Sequence, residues 1–300
     1  MATSLATPRV FPALAFTTLL AGGIAIGFAG ILMRLSDVNP LASAFWRMAL
    51  AAPILWAWAL SVRVPDQAAG RRTGYAPALV LAGLYFAGDM AFWHLSLHYT
   101  TVSNATLLSN FAPIFIALWL WYAYRTRFPR IFIIGMLIAL AGAILLVGPN
   151  AAGGAGHDHK LAGDALGLAS AVFYAGYQLV IKQARDQYST ARLMAWSTSI
   201  TAIALLPFAL AAPGAFMPTT AAGWLPLLGL ALLAQIGGQT VIAYASAHLP
   251  ASLSSVSLLI QPLTATIAAW LIFAEAIGPW QMLGGSLLLY GIFLSKRGSS

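Results

Sequence analysis

Residues 129–148 read PRIFIIGMLIALAGAILLVG. After Arg130 no charge interrupts the run. An apolar helix of about 20 residues, rising about 1.5 Å per residue, crosses the roughly 30 Å hydrocarbon core of a bilayer. Gly135, Gly142 and Leu145 of this run return 149 positions later as Gly284, Gly291 and Leu294, and Pro113 and Trp121 return as Pro262 and Trp270. Gly88 and His98 return as Gly238 and His248 at an offset of 150, so a slip of one residue joins the two sets. Membrane-crossing helices and an internal duplication therefore decide the architecture together.

Working outward, apolar runs between charged or Pro/Gly breaks give ten predicted spans at 12–35, 39–61, 76–98, 102–124, 129–148, 163–184, 189–211, 221–247, 250–273 and 278–295. Loops are short, so neighbouring helices run antiparallel. The Gly/Ala-rich stretch Pro149–Lys160 divides the chain in half and reads as a linker. The expected organisation is a first repeat at 1–149, a flexible periplasmic linker at 150–162 and a second repeat at 163–300. Arg9 followed by Val10–Leu20 mimics a signal peptide, but the apolar pattern continues to Met33, too long for a signal h-region of roughly 7–15 residues. An uncleaved first span is expected.

Composition agrees. Of 300 residues 60% are hydrophobic and 7% charged, against roughly 25% charged in soluble domains. Hydrocarbon must solvate most of this surface. A net charge of +8 would suggest nucleic acid in a soluble protein, but here the basic residues sit at span ends and no nucleic-acid partner is implied. With a cytoplasmic N-terminus, Arg9, Arg63, Arg71, Arg72, Arg125, Arg127, Arg130, Lys182, Arg185, Arg192, Lys296 and Arg297 all fall inside, Arg34 and Lys160 outside, and Arg47 within a span. This bias predicts an even number of spans with both termini cytoplasmic. Five helices per half is odd, so the second copy inserts upside-down. Inverted repeats are a hallmark of secondary transporters, whose solute site lies between the halves near the midplane. A secondary transporter is therefore expected, and a simple duplication without alternating access is the alternative.

The run Ser257-Leu258-Leu259-Ile260-Gln261-Pro262, then Glu275, Gly284-Gly285 and Gly291, together with Ala44-Phe45-Trp46-Arg47-Met48-Ala49, resembles the EamA-type repeat of the drug/metabolite transporter superfamily. The whole chain resembles that superfamily's aromatic amino acid exporters. One departure is Thr126 where the second copy has Glu275. The resemblance implies ten helices, the bacterial inner membrane, and export of aromatic amino acids and bulky organic compounds. It also implies a cavity lined mainly by helices 1, 3, 4, 6, 8 and 9.

Polar groups inside spans are costly and usually face a cavity. Asp89 shares a helix face with Tyr85, Phe92 and Ser96. The repeat places Gln235 and Gln239 at the positions of Tyr85 and Asp89, a polar pair from each half at matching depth. Substrate contact or a protonatable switch is one reading of Asp89; a buried ion pair or hydrogen-bonded acid is the other. Arg47 lies at similar depth and is the expected partner of such an ion pair, sparing each the cost of isolation. Asn110, near Pro113, and Gln261, beside Pro262, sit where proline frees a backbone carbonyl. Their amides suit a zwitterionic solute, and a packing kink is the alternative. Tyr174 and Gln178 at mid-span are further substrate candidates. Trp56, Trp58, Trp121 and Trp224 read as interface belts, and the glycines at helical spacing as close packing.

His94 and His98 are four apart and could ligate a metal, but capping of a helix C-terminus is the simpler role for His98 and its equivalent His248. Nothing is expected of His157 or His159. There is no cysteine, and no nucleophile elbow, phosphate loop or His-Glu-x-x-His motif. No cofactor, metal site or catalytic residue is expected. The competing class, a membrane-embedded enzyme acting on a lipid or amphipathic substrate, would need an acid, base or metal constellation that these residues do not assemble.

Overall fold

The computed structural model describes residues 13–62, 77–96, 99–100, 102–151, 160–274 and 276–299. Arg9, Arg63, Arg71, Arg72, His98, His157, His159 and Glu275, together with most of the expected linker, lie outside the described residues. The ten predicted spans are ten helices: α1 (Ala13–Leu35), α2 (Pro40–Ser61), α3 (Pro77–Ser96), α4 in two pieces (Val102–Ser109 and Ala112–Tyr124), α5 (Arg130–Ala151), α6 (Lys160–Ala184), α7 (Thr190–Ala211), α8 (Trp224–Ser246), α9 (Ala251–Phe273) and α10 (Pro279–Gly298). Helices α5 and α6 extend into both ends of the expected linker. Among the described residues nine helices are long and apolar enough to cross a membrane. The tenth, α10, carries Gln281, Ser286, Lys296 and Arg297, which dilute its hydropathy.

Local chemistry repeats between the halves. Asn39 caps α2 by accepting from the Ala42 amide at 2.7 Å, and Ser189, 150 positions on, caps α7 through the Arg192 amide. Helices α4 and α9 stop at Arg125 and Ala274, 149 apart, both left-handed with φ 52° and 54°. Each of these residues returns its amide to a carbonyl five residues back, Leu120 and Ala269 respectively. This αL conformation costs an L-residue roughly 1–2 kcal/mol, so packing of the flanking helices imposes it twice.

The seam between α5 and α10 fixes how the halves meet. A Cβ on Gly142 would lie 2.4 Å from the Leu288 amide nitrogen, and one on Gly291 2.3 Å from that of Ala139. Glycine lets these antiparallel backbones touch, the usual route to tight association where lipid removes the hydrophobic drive. Gly135 faces Gly291 and Gly142 faces Gly284. Shifting each member by 149 exchanges one contact for the other. A two-fold relation therefore passes between two antiparallel helices, and its axis lies in the membrane plane, as inverted repeats require. Other contacts obey the same exchange: α3 packs on α6 as α8 packs on α1, and α4 on α6 as α9 on α1.

Side chains at the periphery, such as Leu14, Ile203 and Leu271, are exposed and apolar all round, as a lipid-facing surface must be. Of the expected belt residues, Trp58 and Trp121 are exposed. Trp56 and Trp224 are half-buried and also make contacts within the bundle. Trp56 donates to Ser199 at 3.0 Å and meets Trp196 edge-on across the α2–α7 contact. Trp224 packs edge-on to Trp46, which donates to the Phe216 carbonyl at 2.8 Å. The loop between α7 and α8 thus folds over the end of α2. There the Thr219 amide and hydroxyl donate to Asp37 and hold its carboxyl below the usual carboxylate range.

Candidate functional site

Four helices lose regularity at one level of the bundle. Pro113 and Pro262 each lack an N–H and crowd the carbonyl four residues back. Accordingly α4 breaks at Asn110–Phe111 and α9 at Leu258–Leu259. Helix α1 breaks at Phe28, and residues Leu230–Thr240 of α8 wind as a π-helix. Such irregular backbone is tolerated at membrane depth only where protein or a wet cavity satisfies it.

A cavity of about 590 Å³ lies at this level. Its inner end is formed by Asp89, Tyr174, Gln239 and Gln261, with Arg47 and Asn110 on the walls. It runs to a mouth at Arg34, Ile277 and Gln281, on the face where α1 ends and α10 begins. The lining includes the implied helices 1, 3, 4, 6, 8 and 9, and adds α2, α5 and α10. Gly27 presses α1 onto α9, where a Cβ would lie 2.9 Å from the Gln261 carbonyl oxygen, whereas a Cβ on Gly30 would meet nothing within 4 Å. Gly27 is a packing glycine, and Gly30 opens onto the cavity.

The polar groups are held by neighbours. Ser170 donates to Asp89 Oδ1 at 2.6 Å. Arg47 Nε donates to Gln235 Oε1 at 3.2 Å, and Gln235 Nε2 donates to Thr198 at 3.0 Å. The expected direct Arg47–Asp89 ion pair is not formed. Each group takes a neutral partner from the other half instead, Ser170 on α6 and Gln235 on α8, because the two helices set them on separate walls of one cavity. Tyr174 faces the amides of Gln261 and Gln239, and Tyr177 faces that of Gln239. Asn110 Nδ2 donates to the Thr106 carbonyl at 2.8 Å, which leaves Oδ1 as an acceptor.

Of the residues singled out in the sequence, Asp89, Asn110, Tyr174, Gln239 and Gln261 come together on the cavity. Gln178 lines an adjoining cleft of about 20 Å³ with Asn110, Tyr174 and Gln261. Gln235 is fully buried behind Arg47. Tyr85 is outside the lining; it covers Gly176 and meets Phe173 edge-on at 5.8 Å. Sequence reasoning missed Ser170 and the ring column Phe86–Tyr177–Tyr174, whose neighbouring centroids lie 4.6 and 6.2 Å apart at interplanar angles near 20°. Ser170 stands four residues before Tyr174, a spacing that could have placed it on the same face. The column crosses from α3 to α6 and has no sequence signal. His248 Nδ1 pairs with the Tyr244 carbonyl at 3.1 Å, and His94 Nδ1 with that of Met90 at 2.6 Å. No group of three metal-ligating side chains occurs among the described residues.

The face opposite the mouth is shut. Lys182 donates to the Ala247 carbonyl at 3.0 Å and Gln183 to the Tyr124 hydroxyl at 2.8 Å, tying the end of α6 to those of α8 and α4. Leu249, Leu253 and Val256 seal the interior beneath. At the mouth the repeat-equivalent helix ends are those of α1 and α9, where the Arg34 guanidinium lies 4.4 Å from the Phe273 ring centre.

The same two-part pattern appears in known proteins. The model of the EamA-like transporter family matches this chain twice, over residues 13–148 and 161–297, and a solute carrier family 35 model matches residues 88–210. An uncharacterized transporter of Archaeoglobus fulgidus is 29% identical over 94% of this chain and 95% of its own length. The pseudopaline exporter CntI of Pseudomonas aeruginosa is 22% identical over 74% of this chain and 75% of its own. A probable terminal-alkyne amino-acid exporter of Streptantibioticus cattleyicolor is 26% identical over 76% of each. A solved crystal structure shares the fold with a TM-score of 0.81 at 16% identity, covering 96% of this chain and 98% of its own. Ten helices among the described residues, in two opposed halves around a cavity with polar groups on a largely apolar wall, and the family model matching each half, establish that this chain is a multi-pass membrane transporter belonging to the EamA-like transporter family of the drug/metabolite transporter superfamily.

Proposed function

We propose that the chain is a secondary transporter that exports amino acids, aromatic ones included, and amphipathic organic compounds by alternating access. The observation that carries this reading is the cavity of about 590 Å³ whose inner end joins Asp89 of the first repeat to Tyr174, Gln239 and Gln261 of the second. Asp89, Asn110, Tyr174, Gln178, Gln239 and Gln261 contact solute in this reading. Gln235 positions Arg47, and Tyr85 acts only through packing. The repeats are residues 1–149 and 163–300, joined by 150–162.

The protein sits in the bacterial inner membrane with both termini cytoplasmic. The basic residues Arg125, Arg127, Lys182, Arg185, Arg192, Lys296 and Arg297 cluster at the shut face, which supports that face as cytoplasmic. The cavity then opens outward, and export requires the inverse state in which the α4–α6 end contacts part. The near-equivalence of the halves supports two states of similar energy. No ATP-binding motif is used, so a solute or ion gradient drives flux.

Counterflow into proteoliposomes tests the reading. Saturable uptake of labelled amino acid against unlabelled internal amino acid is expected. Chemical conversion of the solute in place of counterflow would favour the membrane-enzyme alternative and end the transport proposal.

A further inference from the structure

Arg47 and Asp89 are opposite charges, each only 6% exposed, on the wall of one cavity. Buried opposite charges in a membrane interior ordinarily pair, because an isolated charge there is costly. These two do not. Asp89 uses Oδ1 for Ser170, and its Oδ2 has no partner among the described residues. Arg47 uses Nε for Gln235, and its two terminal nitrogens have none among the described residues. Each is held by neutral groups that fix its direction without cancelling its charge: Ser170 for the carboxylate, and Gln235, itself tied to Thr198, for the guanidinium. Aromatic rings stand beside Arg47, and Phe86 and Tyr174 among them line the cavity. The Arg47 guanidinium lies 5.7 Å from the Phe86 ring centre, Phe86 stacks on Tyr177 at 4.6 Å, and Tyr177 on Tyr174 at 6.2 Å.

We infer that Asp89 and Arg47 are the two poles of a zwitterion receptor: Asp89 receives the ammonium of an α-amino acid, Arg47 its carboxylate, and an apolar or aromatic side chain lies along Phe86 and Tyr174. This assignment rests on the transport reading and narrows its substrate class. A dipolar solute compensates both charges at once. A simple organic cation compensates Asp89 and is repelled by Arg47, and an organic anion meets the reverse. Guanidinium suits a carboxylate because its fork offers parallel donors. Ser170, Gln235 and Thr198 are positioning residues, since they act through the two poles.

The test is competition in proteoliposome counterflow with labelled L-phenylalanine, L-leucine and phenethylamine, each also run as an unlabelled competitor alongside 3-phenylpropanoate. On the wild-type chain, phenethylamine and 3-phenylpropanoate are expected to compete with phenylalanine at least tenfold less well than phenylalanine itself. Asp89→Asn should bring phenylalanine down to the level of 3-phenylpropanoate, and Arg47→Gln should bring it down to phenethylamine. A merely structural role would weaken every competitor alike and leave the ratios unchanged, which overturns the assignment. The wild-type ratios need no variant, so equal competition by the amine or the acid overturns it even where a variant fails to fold. Saturable flux of phenethylamine with none of either amino acid overturns the zwitterion site but leaves transport standing. No saturable flux of any labelled compound overturns the transport reading itself.

Discussion

Ser170 on α6 places its hydroxyl 2.6 Å from Oδ1 of Asp89 on α3, and both side chains are buried. A hydrogen bond to a charged group is worth about 1.5–3 kcal/mol, enough to fix the direction of the carboxylate. Ser170→Ala should lower solute affinity about fivefold or more while leaving expression and monodispersity near wild type. Asp89→Asn should likewise alter transport more than expression. Counterflow beside detergent size-exclusion profiles measures both. Unchanged transport in Asp89→Asn over the whole pH range would remove Asp89 as a coupling group.

Gln239 reaches the cavity from the π-wound part of α8 and faces both Tyr174 and Tyr177. Gln239→Ala removes an amide that can donate and accept. Apparent affinity should fall severalfold, corresponding to about 1 kcal/mol for a neutral hydrogen bond, with the maximal rate less affected. Concentration-dependent counterflow separates the two, and an unchanged half-saturation point would take α8 out of the solute site.

The glycines divide by what a side chain would strike. On Gly291 a Cβ would lie 2.3 Å from the Ala139 nitrogen, and on Gly30 it would touch nothing within 4 Å. Gly291→Val should therefore destabilise by about 1–3 kcal/mol, the usual cost of overpacking. Gly30→Ala should leave thermal stability within about 0.5 kcal/mol of wild type. Thermal unfolding in detergent compares them directly, and equal midpoints would contradict the touching-backbone seam.

Ala274 ends α9 with φ 54°. Glycine accepts this conformation without steric cost but loses more backbone entropy on folding. Ala274→Gly should stabilise the fold by up to about 1 kcal/mol net. The same measurement reads it, and a lower unfolding midpoint would show that the αL strain is relieved by some other means.

The Gln183–Tyr124 hydrogen bond, 2.8 Å long, helps hold the face opposite the mouth shut. Removing it by Gln183→Ala should shift the population away from the mouth-open state by a few-fold, the equivalent of about 1 kcal/mol. The chain has no cysteine, so a single Ala265→Cys in the cavity wall is a clean reporter. Its labelling by a membrane-impermeant maleimide applied from the mouth side should slow in the Gln183→Ala background. Faster labelling would mean that this contact does not favour the shut state.

Hydrophobic runs, charge bias and the 149–150 offset between halves were enough to determine ten helices, their alternation and their inversion, because hydrocarbon solvent permits few spanning structures and the repeat is written residue by residue. The same offset brought Asp89 and Gln239 to matching depth, since helical register converts spacing directly into height. The azimuth of each side chain, and the identity of its partner, came only from packing. Tyr85 and Asp89 share a helix face and both meet α6, but Tyr85 packs on Phe173 and Gly176 outside the cavity whereas Asp89 meets Ser170 on its wall. Arg47 and Asp89 line one cavity yet bond to Gln235 and Ser170, residues 188 and 81 positions away. Contacts between helices so distant along the chain depend on how far each helix rotates as the glycine seams close, and no local pattern encodes that rotation.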